Sequence, residues 1–182
     1  MASNSLGRSR ERGSNPAWAA IWILVGAISI ALGARVNVSL EPVPMTLQTL
    51  AVLAVGGLLG ARIGAGAAAA YLALVLLGAP ILSNGDAAPG RAFLELKTAG
   101  YVVGFVPAAF LSGFAGRGVL FSLMVMATAH ALILALGAAW LARFVGLSAA
   151  IEYGVTPFLW GALIKTVVAA ALTEHFAQRK TP

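Results

Sequence analysis

The chain has 182 residues, of which 60% are hydrophobic and 10% charged, with a formal net charge of +6; because a soluble domain would be about half apolar and about a quarter charged, the composition predicts an integral membrane protein. The lack of cysteine excludes disulfides, thiolate metal sites and cysteine nucleophiles, and the two histidines, His130 and His175, form no metal-binding motif. The basic residues stand at the ends of apolar segments rather than on an aromatic-rich face, which indicates membrane topology and not nucleic-acid binding.

Six apolar segments approach the length needed to cross a hydrocarbon core, which is about 20 residues and about 17 at the short end. They cover residues 17–36, 45–60, 63–79, 98–114, 119–142 and 154–176. The second and third are short and separated only by Ala61 and Arg62, so they can also form a tight helical hairpin. The pattern predicts an all-α integral membrane protein in which residues 16–182 form one compact bundle of six transmembrane helices and residues 1–15 form a disordered cytoplasmic tail.

The first segment has features of a signal peptide, since arginines precede it and the sequence ALGA at 31–34 looks like a cleavage site. Its apolar run exceeds the ~7–15 residues of a signal-peptide core and five more spans follow, so we expect a retained helix. With the N-terminus inside, the inner side holds the basic residues Arg8, Arg10, Arg12, Arg62, Arg117, Arg179 and Lys180. The positive-inside rule therefore predicts that both termini are cytoplasmic.

Glycines recur at four-residue spacing, at Gly56, Gly60 and Gly64 and again at Gly100 and Gly104. Small residues at this spacing let helix backbones approach one another closely. We therefore expect tight helix contacts at both places.

A polar, proline-bearing segment at 41–50 (EPVPMTLQTL) leads directly into the second apolar run. Polar side chains are scarce in this chain, so Thr46, Gln48 and Thr49 at a membrane boundary indicate a role beyond solubility. A second polar loop at 80–97 is rich in turn formers; it carries Asp86, Arg91, Glu95 and Lys97.

The helix that follows this loop begins with Thr98, Gly100 and Tyr101. Helix N-termini attract anions, so a loop folded over this end can close a pocket for a small anionic ligand. The alternative is an ordinary solvated loop with Thr98 as the helix N-cap.

Lys165 lies near the middle of the last predicted span. An intramembrane lysine costs about 2.5–3.5 kcal/mol on insertion scales, so we expect it to face a cavity or a partner rather than to snorkel. For His130 we expect a structural hydrogen bond to a neighbouring helix. Glu174 and His175 lie near the inner boundary, where we expect them to be solvated.

These motifs, in this order, resemble the BioY family, the biotin-binding S components of energy-coupling factor (ECF) vitamin transporters. The resemblance covers nearly the whole span region. It rests on VPMTLQTLAVL at 43–53, LLGARIG at 58–64, GYVVGF at 100–105 and LGAAWL at 136–141, together with His130, Pro157 and Lys165. The most specific part is PMTLQT, which is not a generic membrane pattern.

The resemblance implies a six-helix S component of a prokaryotic cytoplasmic membrane that binds biotin from outside, with its first and third loops folded over the ligand. It implies no enzymatic activity and no cofactor beyond the transported biotin. The partners would be a membrane-embedded ECF coupling protein and two cytoplasmic ATPases, besides membrane lipid. Small residues on the first helix form the docking face in such proteins, and Ala27 and Ala31 match that pattern.

The chain departs from the family pattern in two places. Where the family reads GPTGGY, this chain reads LKTAGY at 96–101, so Thr98, Gly100 and Tyr101 carry over. An aspartate normally precedes the final lysine by three residues, and here that position is Ala162. Asp86, Glu95 or the carboxylate of biotin itself are the candidates to replace it.

Biotin has a ureido ring, an apolar valeryl chain and a carboxylate, which suits an apolar pocket with a few convergent polar groups. Our hypothesis is that Gln48 and Asn84 bind the ureido group, Tyr101 and Trp160 wall the bicycle, and Lys165 binds the urea oxygen or, in a reversed pose, the carboxylate. Arg91 or Lys97 would serve the other end. The candidate ligand residues are Thr46, Gln48, Asn84, Asp86, Arg91, Lys97, Thr98, Gly100, Tyr101, Trp160 and Lys165.

Three alternatives are open at this point. The chain can be a solitary transporter of biotin or another small vitamin, acting as a homo-oligomer. A membrane enzyme would need paired carboxylates, a metal cluster or an activated nucleophile, and the glycine-rich segment 113–118 lacks the GK[ST] ending and the preceding strand of a phosphate loop. A purely structural subunit would leave Gln48, Asn84 and Lys165 unexplained.

Overall fold

The structure is a computed structural model that describes residues 16–38 and 40–179, without the side chain of Asn84. The predicted tail at 1–15 and Lys180 therefore lie outside the described residues. The helices are α1 (Pro16–Arg35), α2 (Gln48–Leu59), α3 (Ala61–Leu76), α4 (Ala92–Glu95), α5 (Ala99–Ser112), α6 (Val119–Val145), α7 (Leu147–Gly154) and α8 (Leu159–Gln178). Two 3₁₀ turns cover Ser83–Gly85 and Thr156–Phe158, and two short strands are β1 (Asn37–Val38) and β2 (Met45–Thr46).

The fold is all-α apart from one small strand pair, and every predicted span corresponds to a helix: α1, α2, α3, α5, α6 and α8. Three helical stretches are long and apolar enough to cross a membrane by themselves, Pro16–Arg35, Val119–Val145 and Leu147–Gln178, while α2, α3 and α5 are shorter. Large apolar side chains also cover the outside, for example Leu77 and Leu120, which are 82% and 71% exposed. Helices that are apolar on all sides suit a lipid environment, so this is a multi-pass membrane protein.

Two loops complete the architecture on the side where α1 ends and α5 begins. Loop 1 (residues 36–47) joins α1 to α2, and its base is closed by β1 and β2, which pair antiparallel with Asn37 opposite Thr46. Loop 3 (residues 77–98) joins α3 to α5 and contains α4. The guanidinium of Arg35 at the end of α1 donates to the carbonyl of Pro80 (2.6 Å), which joins loop 3 to the end of α1, where loop 1 begins.

Close helix contacts occur at Gly56, Gly64 and Gly100, as the four-residue spacing predicted, whereas a Cβ on Gly60 would meet nothing within 4 Å. A Cβ added to Gly56 would lie 2.3 Å from the carbonyl oxygen of Ala109, and one on Gly100 would lie 2.4 Å from the Cβ of Trp140. Gly60 alone links α2 to α3, with a φ of 85° that only glycine adopts readily. The predicted hairpin is therefore confirmed.

The small residues of α1 lie inside the bundle rather than on its surface. Ala27 is 2% exposed and belongs to the core with Ile30, and Ala31 is partly buried against it. The docking role of Ala27 stays a prediction, and in this structure its side chain packs within the chain rather than on an accessible surface. The outward face of α1 carries larger apolar residues instead, including Leu24, Ile28 and Leu32.

Glu174 is buried, which contradicts the expectation that it is solvated. Its carboxylate accepts hydrogen bonds from the Gly118 backbone N–H (3.0 Å) and from the Ser122 hydroxyl, and Ser122 Oγ accepts one from the Gly116 N–H (2.8 Å). The physical reason is that the loop before α6 leaves backbone N–H groups that need a buried acceptor. His175 is exposed, as expected.

Candidate functional site

A cavity lies between loops 1 and 3 and the helices α2, α5, α6 and α8. It is lined by Val43, Pro44, Thr46, Gln48, Thr49, Leu82, Ser83, Thr98, Tyr101, Val102, Phe105, His130, Leu134, Phe158 and Lys165. The space between these atoms, including its open mouth, is about 610 Å³, but the centre of a water molecule can reach only about 60 Å³ of it. Ligand pockets usually have volumes of about 300–1,000 Å³, so the space of about 60 Å³ is too small for a ligand. A ligand of vitamin size must therefore move the cavity walls apart.

The polar side of the cavity is a hydrogen-bonded chain that starts at Gln48. This residue is 5% exposed, and its Nε2 donates to the Tyr71 hydroxyl (2.7 Å), which donates to the carbonyl of Ile81 in loop 3 (3.1 Å). Thr46 Oγ1 accepts from the Gln48 backbone N–H (3.2 Å) and donates to its Oε1 (3.3 Å). Because a primary amide has two N–H donors and two acceptor lone pairs, Gln48 keeps capacity for a ligand.

Lys165 reaches the same cavity from α8. It is 9% exposed, and its Nζ donates to the backbone carbonyl of Thr46 in loop 1 (2.7 Å). Gly161, one turn before Lys165, lies beside Met45, since a Cβ there would be 3.1 Å from the Met45 sulfur and 3.9 Å from this Nζ. An ammonium has three donors, so two are left for a ligand, and the expectation that Lys165 faces a cavity agrees with this placement.

One polar atom of the cavity wall has no partner at all among the described residues. The Oγ1 of Thr49 is buried and makes no hydrogen bond, although it lines the cavity. Buried hydroxyls are nearly always hydrogen-bonded in native proteins, so this group is available to a ligand.

The apolar side of the cavity contains aromatic rings. Of the two residues predicted to form it, Tyr101 lines the cavity and Trp160 does not. Tyr101 lines the cavity; its hydroxyl donates to the Gly154 carbonyl (2.7 Å) and its ring lies 6.5 Å from that of Phe158. Trp160 is 77% exposed and does not line the cavity. Lys165 follows Trp160 by five residues, a rotation of about 140° on a helix, so the two side chains point to different sides and Phe158 supplies the second ring.

The remaining predicted residues divide into those at the cavity and those away from it. Thr98 occupies the N-cap position of α5, as the alternative interpretation had it, but its side chain makes no capping hydrogen bond and the residue lines the cavity. Asp86, Arg91 and Lys97 are exposed on loop 3 outside the cavity. Gly100 is buried against α6. The side chain of Asn84 lies outside the described residues, although its neighbours Leu82 and Ser83 line the cavity.

Three residues at or beside the cavity were not predicted from the sequence to belong to the site. Tyr71 and Phe158 were not singled out, although a hydroxyl-bearing ring inside the alanine-rich run of α3 was a usable signal for the first. His130 Nδ1 lies 3.1 Å from Thr166 Oγ1 on α8, which confirms the expected bond to a neighbouring helix. The same imidazole also lines the cavity.

The sequence profile of the BioY family matches residues 8–181. The chain belongs to the BioY family. Among relatives of this BioY protein, the "Probable biotin transporter BioY" of Pyrococcus horikoshii is 36% identical over 148 residues, which are 80% of this chain and 87% of the relative. The "Biotin transporter BioY" of Rhizobium etli is 37% identical over 164 residues, 82% of this chain and 87% of the relative.

The fold of this BioY protein is also found in a crystal structure of "the S-component for biotin from an ECF-type ABC transporter". The two chains superpose with a TM-score of 0.77 at 22% identity, covering 100% of this chain and 96% of the other. At 22% sequence identity, this similarity shows that the two proteins share a fold. Among residues 16–38 and 40–179 there is no cluster of three His, Asp or Glu side chains that could hold a metal ion.

Proposed function

We propose that this BioY-family protein is the biotin-binding S component of an ECF transporter in the cytoplasmic membrane of a prokaryote. Its six helices α1, α2, α3, α5, α6 and α8 would cross the membrane, with both termini in the cytoplasm. The observation that carries the proposal is the cavity under loops 1 and 3, where the amide of Gln48 and the ammonium of Lys165 face an aromatic and aliphatic wall.

The chemistry of this cavity fits biotin part by part. The ureido group has two N–H donors and a strong carbonyl acceptor, which match the spare capacity of Gln48, the free Oγ1 of Thr49 and the two remaining donors of Lys165. The fused bicycle and valeryl chain suit the rings of Tyr101 and Phe158 and the aliphatic side chains beside them. Asn84, in the 3₁₀ turn beside Ser83, stays a proposed ureido ligand.

The carboxylate of bound biotin would point out of the cavity toward loop 3. Arg91 and Lys97 are exposed on that loop, and their charges can pair with the carboxylate when loop 3 settles over a bound ligand. Lys165 has no carboxylate partner in the described part of the chain, and its Nζ donates instead to the carbonyl of Thr46. We infer that this carbonyl is what compensates for Ala162.

Transport would require the ECF coupling protein and two ATPase subunits. Because Ala27 is buried, the coupling protein would contact the outward apolar face of α1 and the partly buried Ala31 rather than Ala27. The relatives named as biotin transporters and the shared S-component fold support this assignment over a membrane enzyme.

The proposal is tested by equilibrium binding of labelled biotin to the purified full chain in detergent, with desthiobiotin and thiamin as competitors. We expect saturable binding with a Kd on the order of micromolar or tighter, or about −8 kcal/mol, displaced by desthiobiotin and not by thiamin. Absence of saturable biotin binding would contradict the proposal. Uptake by cells with and without the coupling protein and ATPases then distinguishes ECF-dependent from solitary transport.

A further inference from the structure

A second cleft opens on the outside of the bundle, where α4 of loop 3 meets α5 and α6. It is lined by Phe93, Leu94, Ala99, Gly100, Val103, Leu136, Ala139, Trp140 and Arg143, and its free volume is about 320 Å³. The lining is apolar except at one end, because the indole N–H of Trp140 already donates to the Leu96 carbonyl (2.9 Å). A polar solute would find no partner inside this cleft, whereas a hydrocarbon chain would.

The exposed positions of the cleft agree with a hydrocarbon occupant. Leu94, Val103 and Leu136 are 55%, 46% and 37% exposed, and they flank a groove rather than a flat helix surface. The hydrophobic effect favours covering such apolar area. In a multi-pass membrane protein, the apolar material that reaches this groove from the side is lipid.

Arg143 gives the cleft a charged end. Its guanidinium lies 4.4 Å from the centroid of the Trp140 ring, its side chain is exposed, and no described carboxylate forms an ion pair with it. A guanidinium stacked on an indole keeps its N–H donors in its own plane, where they can bind two oxygens of one phosphate. Tryptophan itself prefers the membrane–water interface, so Arg143 stands at the depth of lipid headgroups.

We propose that this cleft is a binding site for an anionic phospholipid, with one acyl chain in the groove and the phosphate on Arg143. The site does not depend on which molecule the ligand cavity takes. It adjoins that cavity through the first turn of α5, where Ala99 and Gly100 line the cleft while Thr98 and Tyr101 line the cavity. The acyl chain would also touch Phe93 and Leu94 of α4, and so the lipid would pack directly against loop 3.

The test is native mass spectrometry of the purified full chain mixed with equal amounts of phosphatidylglycerol and phosphatidylcholine of identical acyl chains. We expect the wild type to retain phosphatidylglycerol preferentially, and Arg143→Gln to lower its bound fraction several-fold while phosphatidylcholine changes little. Arg143→Lys should retain part of the preference. Arg117→Gln is the matched control, because Arg117 is also exposed and lies over an aromatic ring, that of Phe121 (5.8 Å), outside the cleft.

A second variant tests the groove without touching the charge. Val103→Trp should fill the cleft from its exposed side and reduce retention of phosphatidylglycerol while Arg143 stays in place. The proposal is overturned if Arg143→Gln and Arg117→Gln lose lipid equally, if Arg143→Gln keeps the preference for phosphatidylglycerol, or if Val103→Trp binds as much lipid as the wild type. A thermal unfolding scan of each variant checks that it is folded.

Discussion

The Nζ of Lys165 lies 2.7 Å from the backbone carbonyl oxygen of Thr46, to which it donates a hydrogen bond. This contact joins the last helix to loop 1 across 119 residues of sequence and satisfies one donor of a charged group that would otherwise be costly in the membrane. Any ligand acceptor that approaches Lys165 competes with, or adds to, this carbonyl. Ligand binding and the position of loop 1 are therefore linked through one ammonium group.

Replacing Lys165 with methionine should weaken biotin binding at least about tenfold, because hydrogen bonds to charged groups contribute about 1.5–3 kcal/mol. Methionine keeps an unbranched apolar side chain in place, so the helix packing should survive. The measurement is the same labelled-biotin titration. Arg62→Met serves as the control, since Arg62 is exposed in the first turn of α3, does not line the cavity and is not among the proposed ligand residues; unchanged affinity in Lys165→Met would remove this lysine from the site.

Tyr71→Phe should lower both stability and affinity. The hydroxyl is the link between Gln48 and the Ile81 carbonyl, and leaving a buried partner unpaired costs about 1–3 kcal/mol. We expect a lower unfolding temperature in detergent and weaker biotin binding, because Gln48 loses the group that fixes its amide. Tyr153→Phe, at a residue 46% exposed, should change neither quantity, and an equal effect of the two substitutions would contradict the assignment.

Gly137→Ala should disturb the aromatic wall of the cavity. A Cβ at Gly137 would lie 2.1 Å from the Tyr101 ring, so the ring must move, and overpacking of this kind costs about 1–3 kcal/mol. Biotin affinity should fall along with the unfolding temperature. Gly104→Ala is a milder change on the facing helix α5, where the nearest atom would be the Cα of Ile133 at 3.3 Å; if it proves the more damaging of the two, the packing argument fails.

Glu174→Ala should destabilise the protein without changing biotin affinity. It removes the acceptor for the Gly118 N–H and the Ser122 hydroxyl, a loss of about 1.5–3 kcal/mol for bonds to a charged group. Lys165 precedes Glu174 by nine residues on the same helix, or about 13 Å of helix rise, so the cavity should be unaffected. Glu152→Ala, at an exposed residue, provides the control, and a matching loss of stability there would argue against the buried contact.

The positions of the helices could be predicted because the signals for them are local. Runs of apolar residues marked α1, α2, α3, α5, α6 and α8. The break of the hairpin was predicted at Ala61 and Arg62, and it lies one residue earlier, at Gly60, while both of those residues belong to α3. The start of the last helix was less accurate, because α7 and the 3₁₀ turn Thr156–Phe158 interrupt an otherwise continuous apolar pattern.

Side-chain directions could be predicted only in part. The polar residues Gln48 and Lys165 could be assigned to a site because polar groups in a membrane need partners wherever they lie. The choice between Phe158 and Trp160, and the burial of Glu174, depend on how α8 is rotated against its neighbours, which no local pattern reports. The burial of Ala27 could not be predicted for the same reason, since a row of small residues suits an internal contact as well as an external one.

The four tryptophans of the chain, Trp18, Trp22, Trp140 and Trp160, all lie in the described helices, and none lines the ligand cavity. Their emission should therefore respond weakly to a vitamin in that cavity, and a fluorescence titration without a labelled ligand could be mistaken for absence of binding. Acyl chains carrying bromine quench indoles that they touch. The same four side chains are thus natural reporters of the surrounding bilayer, and Trp140 reports on the cleft beside Arg143.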